Sequence, residues 1–391
     1  MTGLDDDAAS LARWIMSEPH GGDDGADFMR ALAEHLIAVG VPLWRLRYAL
    51  MTMHPEVLWR SVLWRARADE EVVVIDQPHA RLEEAFYTAS PVAAVRTSLA
   101  PMRVRLGPGE LPYPLCIELR DQGGTDFYAQ PLPFANGQVS YATFVTDSPA
   151  GFSEPAIALF EAIRPFLARR LELESAYYAT RALLGVYLGK NAARRVLAGE
   201  FQRGRGELID AAIWFSDVRG FTQLSDRAPP ARVIEILDGH FDAVAGAVSD
   251  NGGEVLKFIG DAVLAIFPLG TDPRGACRRA LSAADHAFAA LARVNEGLVA
   301  SGDDPVEVGV ALHRGPVMYG NIGARDRLDF TVISSAVNEA SRLESLCKPL
   351  GVRITLSAAF VETAEVEGVV DLGEQVLRGV RAPLRVFTLQ T

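Results

Sequence analysis

The 391-residue chain has few cysteines: Cys116, Cys277 and Cys347 are far apart and form no CxxC pair. A disulfide framework needs an even, closely spaced set and a zinc site needs paired ligands, so neither organises this protein. All three read as small buried thiols. No uninterrupted apolar run approaches the roughly 18 residues of a membrane span. The opening MTGLDDDAAS is acidic where a secretory leader would be basic. Basic excess is also missing: 38 Lys and Arg against 50 Asp and Glu leave a net charge of -12. General affinity for nucleic acid or an anionic membrane is thereby excluded, because both reward a basic surface. The expectation is a cytoplasmic globular protein that holds any phosphate in a local site.

What is present suggests several domains. Residues 1–26 form an Asp- and Gly-rich N-terminal segment around a short amphipathic piece, Leu11 to Met16, expected to be loosely ordered at its start. From Asp27 to Val39, Phe28, Leu32, Leu36 and Val39 recur at helical spacing, and Gly40 with Pro42 ends the helix. Strand-like runs follow at Leu43 to Met53, Val57 to Arg65, Asp126 to Phe134 and Val139 to Asp147, the last two joined by an Asn136-Gly137 hairpin signal. This order of elements over 27–152 is that of a GAF- or PAS-like α/β sensory or dimerising domain. Trp44, Met51, Met53, Trp59 and Trp64 line either a ligand pocket or, as large apolar strand residues more often do, a core. His54 and His79 read as surface or capping residues.

Residues 153–206 read as a helical linker. Leu159, Ile163, Phe166, Arg170, Leu173 and Tyr177 step by four and three, a heptad spacing with one basic interruption. The stripe either pairs with a second copy of the chain or packs back on the N-terminal domain, and Pro165 is placed to kink it. Gly204 to Gly206 mark a boundary before the domain at 207–391.

That domain poses a physical question. In FSDVRGFT, Asp217 directly follows the apolar run Ala211 to Phe215, where an uncompensated carboxylate loses several kcal/mol of hydration. A second carboxylate, Asp261, lies at the Gly260-Asp261 turn of GGEVLKFIGDAVLAIF, a hairpin apolar on both faces and therefore read as central in its sheet. Either aspartate alone would be a cap or a turn former. Side by side at about 4 Å they repel by roughly 4 kcal/mol at an effective dielectric of 20, and a divalent cation removes that penalty. Oxygen-only ligands suit Mg2+ or Mn2+ bound together with substrate phosphates, as in two-metal displacement at phosphorus.

FSDVRGFT, GGEVLKFIGDAVLAIF and DFTVISSAVNEASRLE, in this order, resemble the catalytic domain of the class III nucleotidyl cyclases. The resemblance covers about residue 208 to the C-terminus and implies an α+β, ferredoxin-like catalytic domain. It implies that Asp217 and Asp261, with the Val218 carbonyl, hold two Mg2+ or Mn2+ ions per active site, and that ATP is converted to cyclic AMP and pyrophosphate. Asn338 would orient the ribose and Arg342 would stabilise the transition state. Lys257 and Thr331 would select the base, a pairing similar to the Lys/Thr subclass IIIb, while Phe221, Thr222 and Arg378 would contact substrate, with Arg381 the alternative to Arg378. Ser334 and Ser335 stand where the family often has Gly followed by Asp or Asn. Family sites form between two catalytic domains, so a homodimer is implied. The order of the domains separately suggests regulation by the N-terminal domain, with an unidentified small molecule as its candidate ligand. Guanylate cyclase, or a degenerate nucleotide-binding module, is the alternative.

Overall fold

A computed structural model describes residues 2–17, 25–68, 71–79, 89–380 and 382–390. The chain divides at 186/187 into two units, and no described helix is long and apolar enough to cross a membrane.

In the N-terminal unit, helices α1 (Thr2–Ser17) and α2 (Ala26–Ala38) precede strands β1 (Arg45–Met51), β2 (Val57–Arg65) and β3 (Val72–Pro78). Helix α3 (Pro91–Ser98), β4 (Met102–Arg105), helix α4 (Pro114–Asp121), β5 (Asp126–Pro133) and β6 (Val139–Thr146) follow, and α5 (Glu154–Leu188) closes the unit. The strands form one antiparallel sheet in the order β3-β2-β1-β6-β5-β4. Period-two alternation sends Leu46, Tyr48 and Leu50 of β1 to one face. There they meet Leu11 and Ile15 of α1, Phe28, Leu32 and Leu36 of α2, and Leu159, Ile163 and Leu167 of α5. Phe144 stacks on Phe160 with ring centroids 4.0 Å apart. The other face packs Val95, Cys116 and Leu119 on Phe127, Ala129 and Val145, and Val92 on Trp59 and Tyr141.

Two expectations need correction here, and one open alternative, pocket or core, is decided for the core. Within the N-terminal segment, Thr2–Ser17 form a 16-residue helix, because Leu11, Ala12 and Ile15 recur at helical spacing and are buried. The aromatic and methionine set lines no common pocket: Trp64 packs under the α1/α2/α5 face, Trp44 and Trp59 belong to separate clusters on the opposite side, and Met53 is exposed. The Met51 side chain lies outside the described residues. The heptad stripe also splits. Leu159, Ile163 and Arg170 are buried, whereas Phe166, Leu173 and Tyr177 are 40%, 45% and 55% exposed. Successive steps of four and three drift around a straight helix, so only part of the stripe meets the sheet. His54 and His79 do cap locally: His54 Nδ1 accepts from Glu56 N–H, and His79 Nε2 lies 3.0 Å from the His54 carbonyl oxygen.

In the second unit, Gly189 at φ 86° separates α5 from α6 (Lys190–Leu197). There follow β7 (Gly206–Val218), α7 (Phe221–Arg227), α8 (Pro230–Asp250), β8 (Glu254–Ile259), β9 (Ala262–Pro268), α9 (Pro273–Ala300) and β10 (Val308–Gly323). The chain ends with β11 (Leu328–Ile333), α10 (Ser335–Glu344), β12 (Ile354–Ser357), α11 (Ala358–Ala364), β13 (Val369–Gln375) and β14 (Leu384–Leu389). The sheet order is β13-β14-β12-β10-β7-β9-β8, with β11 on β10. Its β10-β7-β9-β8 core, crossed by α8 and α9, is a ferredoxin-like split βαβ arrangement, as the sequence led us to expect. Strand β7 buries both faces because α8 and α9 cover Trp214 while α6 and α10 cover Ile213. The α8–α9 side is alanine-rich (Ala276, Ala280, Ala283, Ala284, Ala287), and all five are buried in the core.

The hairpin expected at the sheet centre is half at its edge. β9 is central and almost wholly buried, but β8 is the last strand, with Phe258 and Ile259 each 48% exposed.

Asp126 is a fully buried carboxylate of the N-terminal unit, accepting from Arg103 Nη2 (2.9 Å), Arg105 Nη1 (3.1 Å) and the Phe152 amide (3.0 Å). Its removal leaves that amide unsatisfied, while both arginines are exposed enough to rehydrate. Asp126→Ala is therefore expected to destabilise this unit by about 2–3 kcal/mol, read from chemical denaturation; a change under about 0.5 kcal/mol would contradict the role assigned to this network.

Candidate active site

β7 is held between β9 and β10, so the backbone at its C-terminal end is fixed from both sides. Asp217 and Val218 stand at that end. The β8–β9 turn brings Asp261 back beside them, with Gly260 at φ 65° supplying the left-handed turn residue. The Val218 amide lies 3.1 Å from Asp217 Oδ1 and 3.1 Å from Asp261 Oδ2. One N–H thus faces two carboxylates. Burial first, then the Asp261 carboxyl beside it, push the Asp217 carboxyl up to about 7. Half-buried and mutually repelling, the pair is a site short of positive charge.

Two further groups border it. Glu344, the last residue of α10, is pushed up to about 7 by burial, and its charge bears on both Asp217 and Asp261. It fits because Gly309, the cross-strand partner of Asp217, has no side chain: a Cβ there would lie 2.4 Å from Glu344 Oε1. His240 of α8 is fully buried and held neutral by burial, down to about 4. Glu344 ends the third quoted motif, but nothing in the sequence distinguished it from an exposed helical glutamate. His240 carried no signal either.

The donor set suits a hard divalent cation: carboxylate oxygens, no sulfur, and a repulsion that a cation would relieve. Among the described residues there is no cluster of three or more His, Cys, Asp or Glu side chains disposed to hold a metal. Asp217 and Asp261 would thus need main-chain or substrate oxygens to complete an ion's shell.

The remaining sequence candidates separate into groups. Phe221 opens α7 and packs partly against the core, while Thr222 beside it is exposed. Lys257 projects from β8 and pairs with Asp329 of β11, Nζ to Oδ2 2.5 Å. Thr331 lies two residues beyond Asp329, on the same face of β11 and partly exposed. The immediate partner of Lys257 within the chain is thus Asp329, a residue the sequence offered only as part of the third motif. Helix α10 starts where Ser334 Oγ accepts from the Val337 amide, 3.2 Å, so serine at that position caps the helix. Its Asn338 and Arg342 are both exposed, on a face separate from buried Leu343. Close approach of this helix to β10 depends on Gly315, whose added Cβ would come within 2.6 Å of Ala336 Cβ. Arg378 is exposed in the loop between β13 and β14, and Arg381 lies outside the described residues.

Comparison with known proteins follows the same outline. Residues 207–391 match the family described as adenylate and guanylate cyclase catalytic domain. The uncharacterized protein Rv1318c of Mycobacterium tuberculosis is 36% identical over 211 residues, 53% of this chain and 37% of its own length; this chain therefore spans little more than a third of that curated relative. Among solved structures, the guanylyl cyclase Cya2 is 29% identical, with 46% of this chain and 92% of that one covered at a TM-score of 0.42. The adenylyl cyclase CyaB from P. aeruginosa is 24% identical, with 48% and 96% covered at 0.44. The β10-β7-β9-β8 core and the two aspartates converging at the end of β7 both lie within residues 207–391, the span that matches the adenylate and guanylate cyclase catalytic domain.

Proposed function

We propose that the protein is a homodimeric adenylate cyclase that converts ATP to 3′,5′-cyclic AMP and pyrophosphate. The observation that carries this reading is the meeting of Asp217 and Asp261 at one backbone amide. Those two carboxylates, with the Val218 carbonyl, would hold Mg2+ or Mn2+, two ions per site. The ions would supply positive charge to the triphosphate and lower the pKa of the ribose 3′-hydroxyl.

The chain's own residues then divide the work. Lys257 donates to adenine N1. An acceptor beside it takes the exocyclic amine, a role open to Thr331 and, because it already touches Lys257 Nζ, to Asp329. A donor next to an acceptor matches adenine; guanine presents N1–H and O6 in the reverse sense, which favours ATP. Asn338 orients the ribose. Arg342 donates to the α-phosphate oxygens as charge gathers there, a task suited to a guanidinium that pairs with no described residue. Phe221, Thr222 and Arg378 contact the polyphosphate.

Two features support composite sites in a dimer. The edge strand β8 exposes Phe258 and Ile259 next to Lys257, and Ile333 is exposed at the end of β11. A second copy covering them would remove apolar surface from water and bring one copy's Lys257, Asn338 and Arg342 to the other's aspartates. The N-terminal unit is proposed to be sensory, acting on the catalytic unit through α5.

Product analysis of the purified protein with ATP or GTP and Mn2+ tests the assignment. Cyclic AMP is expected to predominate; cyclic GMP alone would make it a guanylate cyclase, and no cyclic nucleotide from either would make it a binding module. Lys257→Ala should raise KM for ATP about 10–100-fold, the loss of one or two base contacts.

Asp261→Asn removes the repulsion together with a ligand. The thermal midpoint without metal should rise or hold, while the stabilisation produced by Mn2+ should be lost; a lower metal-free midpoint would show that the pair is not in conflict. Asp217→Ala and Arg342→Ala should each be nearly inactive alone. After mixing and subunit exchange they should recover about a quarter of wild-type activity, since half the dimers then carry one intact site. No recovery after verified exchange would contradict sites shared between subunits.

A further inference from the structure

Arg45 stands in β1, near the middle of the N-terminal sheet, and is 8% exposed. Among the described residues it has no hydrogen-bond or ion-pair partner. Its surroundings add to the cost: Arg65 is its cross-strand neighbour on β2, and Arg47 lies two residues along on the same face. Burial and then the Arg47 charge pull the Arg45 guanidinium down to about 10, against weaker opposing influence from Tyr141 and Glu118. Glu118 is exposed, and its carboxylate already accepts from Gln122. A buried cation left in this state is disfavoured by several kcal/mol unless an anion meets it.

Other groups on that face lack the same kind of partner. In register with Arg47 across β1 and β6 is Thr143, buried, with its Oγ1 unpartnered. Arg47 gives Nη2 to Ser61 Oγ at 2.8 Å, but its Nε is buried and unpartnered. Trp59 Nε1, on the same face of β2, is likewise buried and unpartnered. Every one of these groups can donate a hydrogen bond, and only the threonine can also accept. Buried polar groups are ordinarily satisfied, so an acceptor is what this face lacks. Apolar clusters flank the row: Cys116, Leu119 and Phe127 on one side, Trp59, Tyr141 and Val92 on the other.

We infer that this face of the N-terminal sheet, under α3 and α4, binds a small organic oxyanion, carboxylate or phosphate ester, with Arg45 and Arg47 taking the anionic head and the apolar flanks taking its body. The inference stands independently of the cyclase assignment. It gives the N-terminal unit a chemical class of ligand.

The test uses the full-length protein in low-chloride buffer, titrated with benzoate, phenyl phosphate and the neutral isostere benzamide, by calorimetry and thermal shift. At least one anion is expected to bind saturably and raise the midpoint of the N-terminal transition, with benzamide at least tenfold weaker. Arg45→Met keeps the length of the side chain and removes the charge. Without ligand its midpoint should equal or exceed the wild type's, and its affinity for the anion should fall at least tenfold; Arg45→Gln serves in the same way if the Met variant does not fold. Absence of saturable binding by both anions, equal binding of benzamide, or an Arg45 variant that keeps its anion affinity would each overturn the proposal.

Discussion

Everything in the catalytic unit is arranged around two carboxylates that repel each other. Asp217 and Asp261 are brought to one amide because β7 is clamped between β9 and β10 and the β8–β9 turn returns on its end. Apart from the shared Val218 amide, only a cation would reward the approach: the like charges and the burial both work against ionisation. Folding pays for it elsewhere, in an alanine-rich helix layer on one face of the sheet and α6 with α10 on the other. A stable scaffold that holds a locally unfavourable charge pair is the usual form of a functional site.

The same constraint accounts for neighbours that would otherwise look arbitrary. Gly309 leaves room for the Glu344 carboxyl, and Gly315 lets α10 settle close to β10, so the helix bearing Asn338 and Arg342 has a fixed position while both side chains face outward. On the opposite margin, β8 and β11 set Lys257, Asp329 and Thr331 together. One chain thus carries an acidic group at the end of β7 and a second polar group on β8 and β11.

Much of this was legible from residues, and where it was not the reason is physical. Asp217 and Asp261 could be read because a carboxylate after an apolar strand is costly, and the alternating strand and helix periods gave an α+β order; the ferredoxin-like arrangement came from the resemblance of the three motifs to the cyclases. The edge position of β8 could not, since apolar residues awaiting a second surface look the same in sequence as residues buried in one chain. Glu344 and Asp329 were within quoted motifs yet carried no individual mark, their importance arising from burial and from a contact 72 residues away in sequence. The α5 stripe was half right for a related reason: spacing identifies apolar positions but not which neighbour covers them. The orphaned charge of Arg45 had no sequence signature, because a strand arginine is ordinarily solvated.

The claim that Asp217 and Asp261 meet in order to hold a divalent ion is tested most directly by anomalous scattering from crystals grown with Mn2+ and a non-hydrolysable ATP analogue. The account predicts a manganese peak between the two carboxylates, with oxygens of both at about 2.2 Å. Well-ordered nucleotide with no manganese within reach of either aspartate would contradict it.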